Sequence, residues 1–178
     1  MKWFVIGIGG LVALVAVVVV IGMLLPRDHV ASSSVQVAQP PDSVWALVRN
    51  FAGYPDWWPN VRSMERITDH EREAWRQVDR TNAPMPMEVT VDEPPVRLVT
   101  RILDEGLPFG GMWTYELSPA GGGTRITITE DGKVYNPIFR FVSRFVMGHH
   151  GTMDDYLTAI GEHFGETVAP EHLELGAR

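Results

Sequence analysis

Glu130 is the residue whose place in the sequence most directly suggests chemistry. It follows Ile126 and Ile128 in an alternating segment, so the three side chains are expected on one face of a strand. A carboxylate on an apolar face is unfavourable unless it is paired, exposed or protonated. Glu130 is therefore a candidate to bind a polar group of a ligand, or to act as a general acid or base. The alternative is a solvated or hydrogen-bonded residue at the rim of the sheet.

The pairs His149-His150 and Asp154-Asp155 are the other residues that could do chemistry. His150 and Asp154 are one helical turn apart and can interact. A metal ion would need at least one more ligand, and the sequence spacing supplies none, so we expect no metal site and no cofactor. His149 falls on an apolar stripe and is expected to be a core histidine. A catalytic His–Asp unit would also need a nucleophile, which the spacing does not show.

Alternating segments around Glu130 predict a meandering antiparallel sheet. One face is expected to be mostly apolar with a few polar groups, as in a ligand pocket. The residues expected on this face are Trp75, Gln77, Met87, Val89, Leu98, Thr100, Ile102, Trp113, Tyr115, Ile128 and Glu130. The alternative is a filled core made of the same residues, and a shift of one residue in a strand would invert its faces.

Two helical patterns flank these strands. Val44, Leu47 and Val48 recur at helical spacing after residues 40–43 (PPDS), which are suited to start a helix. The aromatic-rich segment 51–61 (FAGYPDWWPNV) follows and is expected to pack as a rigid plug. Its Tyr54, Trp57 and Trp58 are candidates to cap a pocket or to stack on a ligand, although plain packing of the short helix is the alternative.

The second pattern is a long C-terminal helix that Asn136 and Pro137 are expected to begin. Its apolar residues between Ile138 and Phe164 recur at steps of three and four, so one face is apolar. Gly148 and Gly151 weaken its middle and are expected to kink it.

Several segments of the chain resemble the START/Bet v 1-like (SRPBCC) superfamily, in its polyketide cyclase/dehydratase and lipid-transport branch. They are 44–48 (VWALV), 51–61, 107–111 (LPFGG), 113–117 (WTYEL) and the hairpin 121–130 (GGGTRITITE). The resemblance covers residues 33–164. It implies an α+β helix-grip fold, in which a curved antiparallel sheet wraps around a long C-terminal helix and leaves a hydrophobic cavity between them. Members of the superfamily include lipid carriers, hormone receptors and cyclases, so the fold alone does not give the function.

Residues 3–25 contain no charged side chain and are long enough to cross a bilayer as one helix. We therefore expect a transmembrane anchor over residues 1–26. The alternative is a cleaved signal peptide, whose apolar core is shorter, at about 7–15 residues. Lys2 precedes the helix, whereas Arg27 after it is offset by Asp28, so the positive-inside rule places the domain on the extracytoplasmic side.

The remaining chain is expected to form a linker (27–34), one START/Bet v 1-like domain (35–164) and a flexible acidic tail (165–178). Residues 27–178 hold 14 basic and 22 acidic residues, a formal net charge of −8. This charge, without a cluster of Lys and Arg, argues against nucleic acid as a partner. The chain has no cysteine, which excludes disulfides, thiolate nucleophiles and cysteine-ligated metals.

These observations favour a membrane-anchored, non-enzymatic domain that binds a hydrophobic or amphipathic small molecule, a lipid being one class. The residues expected to contact this ligand are Tyr54, Trp57, Trp75, Gln77, Met87, Thr100, Phe109, Trp113, Tyr115, Glu130, Phe141 and Phe145. One alternative is a cyclase- or dehydratase-like enzyme that uses Glu130, Tyr115 and His149 as acid and base groups. Another is a protein-docking module at the membrane, with Phe139, Arg140 and Arg144 on its surface.

Overall fold

The computed structural model of the protein describes residues 2–103 and 106–174, and it has the predicted α+β helix-grip architecture. The helices are α1 (Lys2–Leu24), α2 (Pro41–Arg49), α3 (Tyr54–Trp57), α4 (Pro137–Val142) and α5 (Gly151–His163), with a 3₁₀ turn at Phe51–Gly53 and a π-helical turn at Ser143–Met147. The strands are β1 (Asp28–Val37), β2 (Val61–Ile67), β3 (Ala74–Asp79), β4 (Pro84–Glu93), β5 (Arg97–Ile102), β6 (Phe109–Ala120), β7 (Gly123–Val134) and β8 (Glu171–His172).

All eight strands belong to one antiparallel sheet in the order β2-β3-β4-β5-β6-β7-β1-β8. From β2 to β7 each strand pairs with the next one in the chain, as expected for a meander. The first strand then closes on β7. It begins at Asp28, so the structure places residues 28–34 in the sheet rather than in the predicted linker. Burial explains this difference, because Ser32, Ser33 and Ser34 are at most 1 % exposed.

Helices α2 and α5 supply the apolar faces that cover the sheet. Val44 and Val48 of α2 are fully buried, as are Leu157 and Ile160 of α5. They share one hydrophobic core with inward residues of the sheet, such as Ile128. The core therefore lies between the concave face of the sheet and these two helices, as the helical spacing of the apolar residues predicted.

The C-terminal helical region is divided into two helices. Asn136 caps α4 as predicted, because its Oδ1 accepts hydrogen bonds from the backbone N–H of Ile138 (2.9 Å) and of Phe139 (3.3 Å). After the π-helical turn, Gly148 adopts a φ of 75°, which ends the helical run before α5 begins. The predicted weak point at Gly148 is therefore a break between two helices.

Helix α1 contains one segment, Gly7–Leu24, that is long and apolar enough to cross a membrane, with a mean hydropathy of 2.8. Signal sequences and core helices of soluble proteins meet the same criterion. The C-terminal end of α1 contacts α4. A Cβ at Gly22 would overlap the carbonyl group of Pro137, and the guanidinium of Arg140 donates hydrogen bonds to the carbonyl oxygens of Leu25 (3.0 Å) and Tyr135 (3.3 Å).

The end of the chain also contacts the sheet. The two residues of β8 pair with Ser33 and Ser34 of β1, and the N–H of Leu173 donates to the carbonyl of Ser32 at 2.9 Å. Residues 175–178 lie outside the described residues, so the flexibility expected for the tail remains a prediction.

The core position of Ile128 gives a test of the fold. We expect Ile128→Ala to lower the free energy of unfolding by about 2–5 kcal/mol, because the side chain is fully buried and its removal leaves a cavity. Val30 lies nearby on β1 but is 57 % exposed, so Val30→Ala should change stability by about 0.5 kcal/mol or less. Denaturant unfolding of the full chain in mild detergent measures both. Equal effects of the two substitutions would contradict the packing described above.

Candidate ligand-binding site

The strand register brings the predicted inward residues to one face of the sheet. Trp75 of β3 lies opposite Met87 of β4, and Trp113 of β6 lies between Thr100 of β5 and Glu130 of β7. Directly opposite residues of paired strands point to the same side. The alternation seen in the sequence therefore predicted the correct face.

Tyr156 of α5 is the centre of an aromatic cluster on this face. Its ring centroid lies 4.8 Å from that of Trp58, 5.2 Å from Trp57 and 5.8 Å from Tyr54, in edge-to-face arrangements. The strand residues Trp113 and Tyr115 contact it from the other side, at 6.0 and 5.7 Å. Edge-to-face pairs at these distances are favourable beyond the area that they bury. The predicted site residues Tyr54, Trp57, Trp113 and Tyr115 are thus brought together by a residue that the site prediction omitted.

The buried phenols form a short hydrogen-bonded chain. The hydroxyl of Tyr54 donates to the carbonyl of Val48 at 2.7 Å, so the hydroxyl of Tyr156, 3.0 Å away, donates to that of Tyr54. Burial raises the pKa of both tyrosines and also the pKa of Tyr115. These phenols are therefore neutral at physiological pH. In this state Tyr115 can donate a proton but not accept one as a phenolate base, and its acid/base role in the enzymatic hypothesis remains a prediction.

Two indole N–H groups in the same cluster have no acceptor among the described residues. They belong to Trp57 and Trp58, and both nitrogens are buried. A buried polar group without a partner is unfavourable by about 1–3 kcal/mol. Such groups are rare in native proteins and often mark the position of a water molecule or a ligand.

Several inward residues around this cluster keep part of their surface accessible. Trp57, Met64, Trp75, Val89 and Trp113 are only partly buried, although they pack against the core. In contrast, Tyr54, Met87, Thr100 and Tyr115 are at most 6 % exposed. The inward-facing residues around the cluster thus include both fully covered and partly exposed side chains.

Glu130 lies at one end of this face and accepts two hydrogen bonds. Nε2 of His29 is 2.8 Å from Oε1, and the indole N–H of Trp113 donates to Oε2 at 2.7 Å. The ring of His149 stacks on that of His29 with centroids 4.0 Å apart. Glu130 is thus a hydrogen-bonded, partly accessible carboxylate beside two imidazoles. This fits the hydrogen-bonded rim residue considered from the sequence, and it leaves the carboxylate able to contact a polar group of a ligand.

The other predicted site residues lie apart from the aromatic cluster. Phe145 is 60 % exposed and contacts Phe141 at 5.0 Å, on the π-helical turn and on α4. Phe109 is 36 % exposed at the start of β6. Gln77 lies further along β3, opposite Met85. Contact with a ligand remains a prediction for these four residues, as it does for the other predicted site residues.

Sequence reasoning missed two residues of the site. Tyr156 falls between Met153 and Leu157 on the apolar stripe of α5, so its helical spacing was the signal that could have identified it. His29 lies in the segment predicted as a linker, and its pairing with Glu130 depends on the β1–β7 register. No local pattern indicated that pairing.

The match to a family model agrees with this architecture. Residues 28–157 match the family described as polyketide cyclase / dehydrase and lipid transport. The chain belongs to this family. The match runs from the first residue of β1 to the middle of α5, so it includes the whole concave face described above. No curated protein sequence matches the chain.

Solved structures of START-like proteins share the fold. A conserved protein from Geobacillus kaustophilus is 16 % identical, with a TM-score of 0.63, covering 81 % of this chain and 100 % of that one. Norcoclaurine synthase from Thalictrum flavum is 16 % identical, with a TM-score of 0.60 and coverages of 78 % and 87 %. A START superfamily protein from Mycobacterium smegmatis is 16 % identical, with a TM-score of 0.56 and coverages of 76 % and 99 %. At these identities the likeness shows the fold alone.

His149, which stacks on His29 beside Glu130, makes stability depend on pH. Burial lowers the pKa of His149, and the neighbouring His29 lowers it further, while Glu130 raises it. A histidine with a lowered pKa binds protons more weakly in the folded than in the unfolded state. The contribution of His149 to the free energy of unfolding is therefore complete above about pH 6.5, the pKa of histidine in the unfolded chain. It is lost as the pH falls through this value towards the lower pKa of the folded state.

We expect His149→Gln to reduce the loss of thermal stability between about pH 7.5 and pH 5, because it removes one of the groups that titrate in this window. The unfolding midpoint of the full chain, measured across that range, gives the slope. A wild-type slope for His149→Gln would contradict this account.

Proposed function

We propose that the protein binds a hydrophobic or amphipathic small molecule between the sheet and the C-terminal helices, and that α1 holds this site at a membrane. The observation that carries the proposal is the partial exposure of large apolar side chains on the inward face of the sheet. Large apolar side chains there, such as Trp75, Val89 and Trp113, face inward and yet are not fully covered. Apolar surface that the fold leaves uncovered on a concave face is suited to an apolar ligand.

The polar groups of the site favour a ligand that carries an oxygen acceptor. The protons of Tyr54 and Tyr156 are already donated within the protein, whereas the N–H groups of Trp57 and Trp58 have no acceptor among the described residues. A carbonyl or hydroxyl oxygen of the ligand would satisfy such a donor once the surrounding rings move aside, because both nitrogens have almost no accessible surface. Glu130 and His29 add a polar contact at the accessible end. A largely apolar molecule with one or two oxygen groups fits this set better than a hydrocarbon does.

The proposed anchor explains why the site would be useful at a membrane. A molecule that is poorly soluble in water is concentrated in the bilayer, and an attached binding domain shortens its path to the pocket. The contacts of Arg140 with Leu25 and Tyr135 hold the end of α1 against the domain, so residues 26 and 27 provide little slack between them. This arrangement supports an anchor that positions the domain close to the bilayer. The extracytoplasmic side remains a prediction from Lys2, Arg27 and Asp28.

Filling the accessible part of the concave face tests the proposal. Val89 faces inward opposite Thr100 and is partly exposed, so Val89→Phe adds volume where the ligand would lie. Overfilling a site is unfavourable by about 1–3 kcal/mol, and each 1.4 kcal/mol corresponds to about tenfold in affinity. We therefore expect about a tenfold or greater loss of small molecules that co-purify with the full chain in native-membrane nanodiscs, measured by mass spectrometry of organic extracts.

The control is Thr114→Phe, which adds a ring to β6 between the inward-facing Trp113 and Tyr115, and therefore on the other face of the sheet. It should retain the wild-type amount of bound molecule. Equal amounts in the Val89→Phe and wild-type proteins, or no enrichment over empty nanodiscs in the wild type, would refute the proposed function.

A further inference from the structure

A second polar cluster joins the start of α5 to the end of the chain. It contains His150, which precedes α5, Asp154 in its first turn, and His172 in β8. Nε2 of His172 lies 2.8 Å from Oδ2 of Asp154, and the two imidazole rings stack with centroids 3.8 Å apart. One nitrogen from each histidine and one oxygen of Asp154 all lie within 4.8 Å of one another.

The backbone and a buried hydroxyl hold this cluster together. His150 and Asp154 are one helical turn apart, and β-sheet pairing places His172 directly opposite Ser33. Ser33 is fully buried, donates a hydrogen bond to Oδ1 of Asp154 (2.8 Å) and lies 3.1 Å from Nδ1 of His150. A hydroxyl that orients a carboxylate and an imidazole is the kind of support that metal ligands receive from their surroundings.

We propose that His150, Asp154 and His172 bind a divalent transition-metal ion, with Zn²⁺ as the best fit. Two imidazoles and one carboxylate are a common set of three protein ligands for Zn²⁺, and a water molecule completes a tetrahedral site. The side chain of His172 is 54 % exposed, which leaves room for that water and for entry of the ion. Its ring must turn from the stacked position so that its nitrogen points to the ion, and this exposure permits the rotation.

His172 is the third ligand, and its spacing in the sequence gave no sign that it would lie near the other two. His150 and Asp154 are neighbours on a helix, whereas His172 reaches them through β8, a strand of only two exposed residues. So short a strand has little pairing to offset the loss of conformational freedom when the chain end becomes ordered. A bound ion would join β1, α5 and β8 at one point and fix the end of the chain against the sheet. The site is independent of the proposed ligand-binding function.

Zinc titration of the full chain tests this inference. The chain, without a polyhistidine tag, is purified in mild detergent, stripped with a chelator and titrated with ZnCl₂ by calorimetry. We expect one equivalent to bind, the thermal unfolding midpoint to rise, and residues 165–174 to become protected from proteases. Co²⁺ in place of Zn²⁺ should give the visible absorption bands of a low-symmetry site with nitrogen and oxygen ligands.

The variants separate this site from chance binding to surface groups. His172→Gln changes an exposed residue near the chain end, so it should fold normally and abolish the stoichiometric binding, as should Asp154→Asn. Ser33→Ala, which removes only the supporting hydroxyl, should weaken binding about tenfold. His163→Gln lies at the other end of α5, about 18 Å along the helix, and should leave binding unchanged. Absence of stoichiometric binding in the wild type, or binding that survives both His172→Gln and Asp154→Asn, would overturn the proposal.

Discussion

The packing of Tyr156 against the concave face of the sheet is the interaction on which the rest of the structure depends. Its ring meets aromatic residues from α3, from the turn that follows α3 and from β6, so one side chain joins α5 to both sides of the interior. Its hydroxyl is satisfied by Tyr54, which in turn is held by the end of α2. Since these groups are rigid and neutral, they fix the distance between α5 and the sheet. The part of the concave wall that they do not cover is the proposed binding surface.

The break at Gly148 separates two regions with different neighbours. Helix α5 lies in the aromatic core, whereas α4 contacts the end of the apolar helix α1 through Pro137 and Arg140. The segment between them contains a π-helical turn, and its Phe145 and Val146 are well exposed. Two histidines follow the break and contact different polar clusters. His149 stacks on His29 beside Glu130, and His150 lies within hydrogen-bonding distance of Ser33, which also donates to Asp154. The polar contacts of the helical region are thus concentrated where its backbone is least regular.

The sequence predicted features that depend on local periodicity. The period of two along β6 and β7 placed Trp113 and Glu130 on one face, and the period of 3.6 placed Leu157 and Ile160 in the core. The sequence could not show which inward residues are covered and which are partly exposed, because aromatic residues occur among both groups. Tyr115 is buried and Trp113 is partly exposed, two positions apart on one strand. That division depends on ring positions in α3 and α5, which no spacing along β6 encodes.

Pairing between distant segments was the other feature that the sequence could not predict. The serines of residues 32–34 resembled a spacer, yet the β1–β7 register buries them and brings His29 to Glu130. In the same way, an acidic chain end gave no signal that two of its residues would pair with β1 and carry His172 to Asp154. Both cases depend on strand pairing between residues that are 87 to 139 positions apart, for which a single sequence has no local pattern.

Native mass spectrometry of the full chain, released gently from its own membrane, tests whether the anchored domain carries a ligand. We expect an intact mass that retains residues 1–26, together with a discrete non-covalent adduct of a largely apolar, oxygen-bearing small molecule. A protein that retains the N-terminal segment but consistently carries no adduct would contradict a binding function for the concave face. A mass that lacks the segment would contradict the anchor and indicate a cleaved signal peptide.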